Sequence, residues 1–251
     1  MWSQERRRRI LAMLEGSGQV STQNLGDLLG VSRETIRRDL LDLEDEGLAR
    51  RVHGGAVRPD DAPEAPFRQR VTTQRRAKRE IARKAVSLVK PGQCLMIDAG
   101  STTAAFAEEL ARISGIMVVT NSLTIANTLQ AAESDIELLL LGGYLLTDVP
   151  ATYGELTLSE IRRFTADLAF VGPVSVDERG AYDFALHEAE VATAMIERSQ
   201  QAVVLADSSK LGRPSRVRYC EADSISVLIS DSGAEAGALA ELRGGGIGTI
   251  L

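Results

Sequence analysis

Residues 31–48 read VSRETIRRDLLDLEDEGL, and the segment is a short amphipathic helix with a charged outer side. At about 100° per residue, Ile36, Leu40 and Leu43 share one face, Glu34, Arg38 and Leu41 oppose it, and Thr35 and Arg37 flank it. Ser32 stands where a cap is needed, because its hydroxyl can accept one of the free N–H groups of a first helical turn. Arg33, Thr35, Arg37 and Arg38 therefore point away from any core. Such a helix has the chemistry of a major-groove reader, since guanidinium groups grip guanine edges or phosphates and a threonine can meet a base edge or a thymine methyl.

Upstream, Gly30-Val31-Ser32 makes a turn from a preceding helix that Ser21 is expected to cap and that carries Leu25, Leu28 and Leu29. Before it, Ile10, Leu11 and Leu14 line another helix, entered through the cationic run Arg6 to Arg9. Downstream, LARRVHGGAVR (48–58) has two β-capable arms around Gly54-Gly55, where tandem glycines are expected to supply the positive φ angles of a hairpin turn. Arg50, Arg51 and His53 on that hairpin would lie beside the adjacent DNA backbone or minor groove. The front of the chain thus reads as an α+β winged helix-turn-helix over residues 1–58. The competing reading is that its arginines only solubilise the surface by pairing with Glu34, Asp39, Asp42 and Glu44.

PDDAPEAP (59–66) has three prolines, three acids and no apolar period, and predicts an exposed linker, drawn here over 59–70. Residues 71–251 then alternate helical stretches with short apolar runs: CLMI at 94, IMVV at 116, ELLLL at 137, LAFV at 168, AVVLA at 202 and SVLI at 226. That cadence predicts an α/β domain with a parallel sheet, and the glycine-rich GGGIG from Gly244 reads as a loose end. Ligands of parallel sheets sit beyond the carboxyl ends of the strands. Those ends carry Asp98-Ala99-Gly100-Ser101-Thr102-Thr103, Thr120-Asn121-Ser122, Gly142-Gly143 and Asp207-Ser208-Ser209-Lys210. Hydroxyls and free amides at the start of the helix after Gly100 suit an anion.

Composition narrows the alternatives. The 251 residues are 44% hydrophobic and 25% charged, which is globular composition. Two cysteines and two histidines cannot build a disulfide framework, a four-ligand zinc site or a histidine-rich metal centre, so no metal and no cofactor is expected. No apolar h-region follows the first arginines and no stretch approaches a membrane span, so a soluble cytoplasmic protein with no membrane partner is expected. The net charge of −6 is uneven: residues 1–90 hold 19 Lys+Arg against 13 Asp+Glu, and residues 91–251 hold 10 against 22. A basic front and an acidic back suggest that the front meets a polyanion.

The stretch QERRRRILAMLEGSGQVSTQNLGDLLGVSRETIRRDLLDLEDEGLARRVHGGAV, and within it VSRETIRRDLLDLEDEGL followed by RVHGGA, resembles the winged helix-turn-helix of the DeoR family of bacterial sugar-responsive transcription regulators. The resemblance continues in order through KREIARKAV, DAGSTT, TNS, LGG and ADSSK. It implies a back domain with the fold shared by DeoR effector domains and ribose-5-phosphate isomerase-like proteins, sensing a sugar phosphate. Carried over, Asp98, Gly100, Ser101, Thr102 and Thr103 match the phosphate-side motif, Thr120, Asn121 and Ser122 the next loop, and Asp207 and Lys210 the late one. Two departures stand out: Leu146 replaces an arginine three residues beyond the glycine pair, and Ala192 replaces a lysine in the stretch EAEVA. Each missing cation removes charge-assisted bonds worth roughly 1.5–3 kcal/mol to an anion. A sugar acid or polyol effector is therefore admitted beside the phosphorylated default.

The expectation is a repressor of a sugar or polyol catabolic operon, with no catalytic residues, partnered by double-stranded operator DNA, a small effector and further copies of itself as a dimer or tetramer. Paired copies follow from the few base pairs that one short helix can read. Two other readings remain: an isomerase-like sugar-phosphate enzyme using Asp98, Asp207 and Lys210 to move protons, and a winged domain used only for protein contact.

Overall fold

In the computed structural model, which describes residues 3–17, 19–45, 48–57, 65–132 and 135–251, the chain divides into two units, Met1–Pro63 and Glu64–Leu251. The first runs α1 (Ser3–Ser17), β1 (Gln19–Ser21), α2 (Thr22–Leu29), α3 (Arg33–Asp45), β2 (Arg50–Val52) and β3 (Gly55–Val57). Most of the proline-rich segment, 59–64, lies outside the described residues.

The α2–α3 junction forms as its residues dictate. Gly30 takes the left-handed conformation (φ +64°) that ends α2, and Ser32 Oγ accepts the Thr35 N–H at 3.1 Å to start α3. Ile36, Leu40 and Leu43 go inward onto Ile10, Leu14, Leu25 and Ala56. The expected hairpin is present, but β1 joins it as a third strand in the order β1-β3-β2. Ser21 closes that strand and precedes α2 without making a side-chain cap. Leu28, expected on the core face, is 66% exposed, because an α2 of only eight residues turns just Leu25 and part of Leu29 inward.

The two hairpin glycines have different causes. Gly54 has φ +84°, as a tight turn requires. Gly55 has no such angle; a Cβ there would lie 1.9 Å from the Val20 carbonyl oxygen, so it is the close approach of β1 that demands glycine.

The cationic run at the start of α1 is largely engaged within the fold. Arg6 Nε and Nη2 donate to Asp39 Oδ2 and Oδ1 at 2.5 and 2.9 Å, with both residues buried. The hydrogen bonds it donates to Asp39 hold the Arg6 guanidinium above its ordinary pKa. Arg7 reaches Asp42 at 3.5 Å, and Arg8 and Arg9 reach Glu5 at 3.0 and 3.2 Å. Truncating one partner of a buried pair typically costs about 3–5 kcal/mol. Arg6 is thus a structural cation that ties α1 to α3.

The second unit opens with α4 (Phe67–Thr72), which starts inside the segment drawn as linker, and α5 (Arg75–Val86). It continues β4 (Cys94–Ile97), α6 (Ser101–Leu110), β5 (Ile116–Thr120), α7 (Leu123–Gln130), β6 (Ile136–Leu140), β7 (Tyr144–Leu145), β8 (Thr152–Tyr153), α8 (Glu155–Ile161) and β9 (Ala166–Val171). After these come β10 (Ser175–Asp177), β11 (Gly180–Asp183), α9 (Leu186–Glu197), β12 (Ser199–Leu205), β13 (Val217–Glu221), β14 (Val227–Ile229), α10 (Ala236–Gly244) and β15 (Thr249–Ile250).

All six apolar runs pair in one parallel sheet, ordered β15-β14-β12-β9-β4-β5-β6. Alternation along β4 sends Leu95 and Ile97 to the α5–α6–α7 side, with Phe106 and Phe170 at its centre, and Met96 to the side of α8 and α9. The seventh strand corrects the reading of the glycine-rich segment as loose: Ile247 is buried, and Thr249 and Ile250 pair with Val227 and Leu228. A Cβ on Gly245 would meet the Glu178 carbonyl at 2.0 Å, and one on Gly248 the Ser226 carbonyl at 2.6 Å. These glycines allow close packing. From β4 the chain builds outward through β5 and β6, then returns to β9 on the other flank, so the topological switch lies between β4 and β9.

Candidate nucleic-acid interface and ligand site

The outer side of α3 and the β2–β3 hairpin enclose a groove of about 610 Å³, lined by Arg33, Arg37, Arg51 and His53 with Thr22 and Gln23 from the start of α2. Arg33 has no acidic partner among the described residues. Arg37 and Arg38 share one exposed carboxylate, Glu34, at 3.7 and 3.8 Å, contacts worth about 0–1 kcal/mol. Arg51 is held by Glu44 through its backbone N–H and its Nε, both at 2.9 Å. Arg50 is half-buried on β2. Asp39 and Asp42, the other acids that could have quenched these cations, are turned to Arg6 and Arg7. The structure therefore leaves an excess of exposed guanidinium on the reading side.

Ser32 and Thr35 are spent differently from Arg33 and Arg37. Their hydroxyls lie 2.9 Å apart in the cap of α3, and Thr35 is half-buried. Thr22 and Gln23 escaped the sequence reading because only the folded hairpin brings the start of α2 to the groove.

In the second unit, Asp98 ends β4 at the switch point. Its Oδ2 accepts the Gly172 N–H at 2.8 Å from the end of β9, and Lys210 Nζ donates to the neighbouring Pro173 carbonyl at 2.5 Å. Asp98 is 8% exposed, and its Oδ1 has no hydrogen-bond partner. Burial, reinforced by the charge of Asp183, pushes its carboxyl up to about 7, against the pull of the Gly172 N–H and Lys210. Asn121, at the end of β5 and 4% exposed, donates Nδ2 to the Thr152 carbonyl at 2.8 Å and leaves Oδ1 unpartnered. Both line a pocket of about 20 Å³ with Tyr153, Asp183, His187 and Glu188, and Leu146 stands at the same pocket. The Tyr153 and His187 rings lie 5.0 Å apart.

The DAGSTT turn also borders a second cavity of about 270 Å³, lined by Ser101, by Arg75, Lys78 and Arg79 of α5, by Glu108 and Glu109 of α6 and by Thr124 and Thr128 of α7. Ser101 is buried, and no side-chain hydrogen bond holds its hydroxyl among the described residues. Lys78 Nζ donates to the Arg70 and Thr73 carbonyls at 2.5 and 3.0 Å, closing the end of α4. Thr102 Oγ1 is buried and unpartnered.

The other expected site residues act within the fold. Thr103 Oγ1 accepts the Gly100 N–H at 2.8 Å, and the Thr120 hydroxyl donates to the Ile97 carbonyl at 2.7 Å. Ser122 caps α7. Gly142 donates to Glu160, and Gly143 is needed because a Cβ would meet Thr157 Oγ1 at 2.2 Å. Asp207 accepts from Ser209. None of these seven lines either cavity. Asp183, His187 and Glu188 were missed because 175–190 holds β10 and β11, two strands of a separate antiparallel sheet that β13 completes, and a helix start, none of which apolar cadence reveals. Ala192 is buried in the cluster that also holds Val171 and Val176, and it is its neighbour Val191 that lines the pocket.

Among the described residues no group of three or more His, Cys, Asp or Glu is arranged to hold a metal, and no helix is long and apolar enough to cross a membrane.

Comparison with known proteins bears on both units. The family model described as "DeoR-like helix-turn-helix domain" matches residues 6–62, and that described as "DeoR C terminal sensor domain" matches residues 73–232. The glycerol-3-phosphate regulon repressor of Escherichia coli (strain K12) is 35% identical over 229 residues, covering 91% of this chain and 90% of that protein. The HTH-type transcriptional repressor GlcR of Bacillus subtilis (strain 168) is 34% identical, covering 92% and 89%. Among solved structures, ribose 5-phosphate isomerase A from Methanocaldococcus jannaschii matches 53% of this chain and 52% of that chain, with a TM-score of 0.39 and 23% identity.

Proposed function

The chain belongs to the DeoR family, and from that premise we propose that it is a DNA-binding repressor of a sugar or polyol catabolic operon, released by a small sugar-phosphate effector. The observation that carries the DNA half is the groove between α3 and the hairpin, where Arg33, Arg37, Arg51 and His53 converge. The positive α3 side suits the major groove and the hairpin the flanking backbone. Ser32 and Thr35 serve this reading by fixing the first turn of α3, from which Arg33 and Arg37 project.

The effector half rests on the two cavities bordering the DAGSTT turn. At the larger one, Ser101 with Arg75 and Arg79 offers donors to an anion on one side, and Glu108 and Glu109 offer acceptors to the hydroxyls of a sugar on the other. Asp98 and Asn121 offer acceptors at the smaller. Effector and operator are coupled by linkage: a ligand with higher affinity for one arrangement of paired subunits shifts the population, and with it the operator affinity. The family relatives bear names of repressors, and the enzyme reading also loses Asp207, which is bound within its own turn. Acting on a chromosome places the protein inside the cell.

Two variants test the division of labour. Arg37→Ala should weaken binding to the protein's own upstream operator at least about tenfold and lower the salt slope by about one, with effector binding unchanged. Asp98→Ala should do the reverse. Equal loss of both activities in either folded variant, measured by fluorescence anisotropy and calorimetry, contradicts the proposal.

A further inference from the structure

The net positive charge of the front of the chain is not concentrated in the helix-turn-helix unit. Residues 1–58 hold 10 Lys+Arg against 9 Asp+Glu, whereas 67–86, spanning α4 and α5, hold 8 against 1. On α5, Arg75, Arg76, Arg79 and Arg83 are all exposed and fall within about 100° of arc, opposite the buried Ala77, Ile81 and Ala85. None of these four arginines forms an ion pair among the described residues. Glu80, the one acid of α5, is turned to Lys84 and to the N–H and hydroxyl of Ser232. Glu108 and Glu109 line the larger cavity with Arg75 and Arg79 but pair with neither, and Glu109 is held by Arg112.

Helix energetics oppose this placement. Arg75 with Arg79 and Arg79 with Arg83 are like charges at i,i+4, which weaken a helix. Arg75 and Arg76 also occupy the first turn, where the macrodipole favours acids and α5 has none. A face needed only for solubility is served as well by mixed charges, without that cost. Four guanidinium groups in one stripe, on a unit whose residues 91–251 hold 10 Lys+Arg against 22 Asp+Glu, make a localised positive surface that fits a polyanion.

We propose that the Arg75–Arg83 face of α5 grips the sugar-phosphate backbone of duplex DNA flanking the operator, as a sequence-independent clamp carried by the sensor unit. This assignment rests on the DNA-binding reading above and extends it to a second surface. Guanidinium groups bind phosphate oxygens in pairs, and each phosphate neutralised releases counterions, the term that dominates affinity for DNA. Eight residues of chain lead from Val57 of β3 to Ala65, just before α4, a reach of at most about 29 Å. DNA held by the helix-turn-helix is thereby kept within range of α5. The acidic face of a second copy is the other polyanion at hand, but the tether presents DNA to α5 at any protein concentration.

Arg76 and Arg83 line neither cavity, so the double variant Arg76→Gln, Arg83→Gln spares the effector site. Both changes remove charges that the helix opposes, and the urea midpoint should hold or rise. The full chain is titrated by fluorescence anisotropy onto a duplex from its own upstream region and onto a random-sequence duplex of equal length, from about 50 to about 200 mM salt. The double variant should bind both at least about fivefold more weakly at the lower salt, with the ratio between them unchanged and the slope of log K against log salt smaller by about one to two. Lys90→Gln with Arg163→Gln, which removes the same charge from other exposed positions of the unit, should alter neither. Wild-type affinity and slope in the α5 variant, or an equal loss in the Lys90 and Arg163 variant, overturns the clamp and leaves the DNA-binding reading standing. A loss confined to the upstream duplex overturns its sequence independence. A lower sedimenting mass of the α5 variant gives the face to contact between copies and overturns it as well. Failure of the unsubstituted chain to bind either duplex removes both readings.

Discussion

Asp98 and Asp39 show what burial does to two carboxylates in one chain. Asp39 meets the Arg6 guanidinium in two-point contact. Asp98 has a backbone N–H on one oxygen, nothing on the other and Asp183 nearby, so its carboxyl is raised to about 7. The folded state therefore holds the Asp98 proton more tightly than the unfolded chain, whose aspartates titrate near about 3.9. Its contribution to stability is fully present below about pH 4 and is lost as pH rises through about 7. Asp177 and Asp231 are shifted downward by their hydrogen bonds and act in the opposite sense, losing their contribution in acid. Asp98→Asn should flatten the decline in melting temperature of the second unit between about pH 5 and about pH 8, followed by scanning calorimetry. An unchanged decline sinks this account of Asp98. Asp98 was legible as a strand-end acid, but the hydrogen bond that holds its Oδ2 comes from Gly172, 74 residues away.

At the scale of elements, glycines separate what a sequence motif suggests from what packing demands. Gly54-Gly55 looked like one turn signal, yet only Gly54 has a positive φ, and Gly55 is held to glycine by β1. GGGIG looked unstructured because glycine-rich runs carry no periodicity; its glycines admit the Glu178 and Ser226 carbonyls and deliver β15 to the sheet. Gly245→Ala should destabilise the second unit by about 1–3 kcal/mol, as overpacking of a closed contact does. Gly237→Ala, inside α10 and with open space around the added Cβ, should leave stability unchanged or raise it by up to about 1 kcal/mol. Urea unfolding of both variants checks the pair, and equal effects contradict the packing argument. The helices and the six apolar runs were readable because periods of 3.6 and 2 are local properties. Strands β1, β10, β11 and β13 were not: β1 and β13 pair with partners distant in sequence, and β10 and β11 form a hairpin too short to show a period.

For the molecule as a whole, the proposed function predicts paired copies, and the second unit carries exposed apolar side chains on which that prediction can be tested. Tyr144 and Leu145 are 74% and 65% exposed on β7, with Leu156 and Leu186 also exposed at the starts of α8 and α9. The hairpin that displays Tyr144 and Leu145 continues into Leu146, Thr152 and Tyr153 of the small pocket, so a ligand that moves the hairpin would also move this surface. Exposed apolar groups so grouped mark contact sites. The double variant Tyr144→Ser, Leu145→Glu should lower the sedimenting mass of the full chain and weaken operator binding with it, because two half-sites are then no longer read together. An unchanged mass in analytical ultracentrifugation excludes this face.

Amphipathic spacing, capping residues and the order of apolar runs were sufficient to specify a helix-turn-helix with arginines facing outward and a parallel sheet with polar strand ends, because these depend on neighbours within a few positions. Which polar residues line the candidate ligand cavities was decided only by tertiary structure. Thr103, Thr120, Ser122 and Asp207 satisfy nearby groups of the fold, Asp183, His187 and Glu188 arrive from a distant segment, and Arg6 is consumed by Asp39. A side chain's hydrogen-bonding capacity is finite, and where it is spent depends on which backbone groups the folded chain brings alongside it.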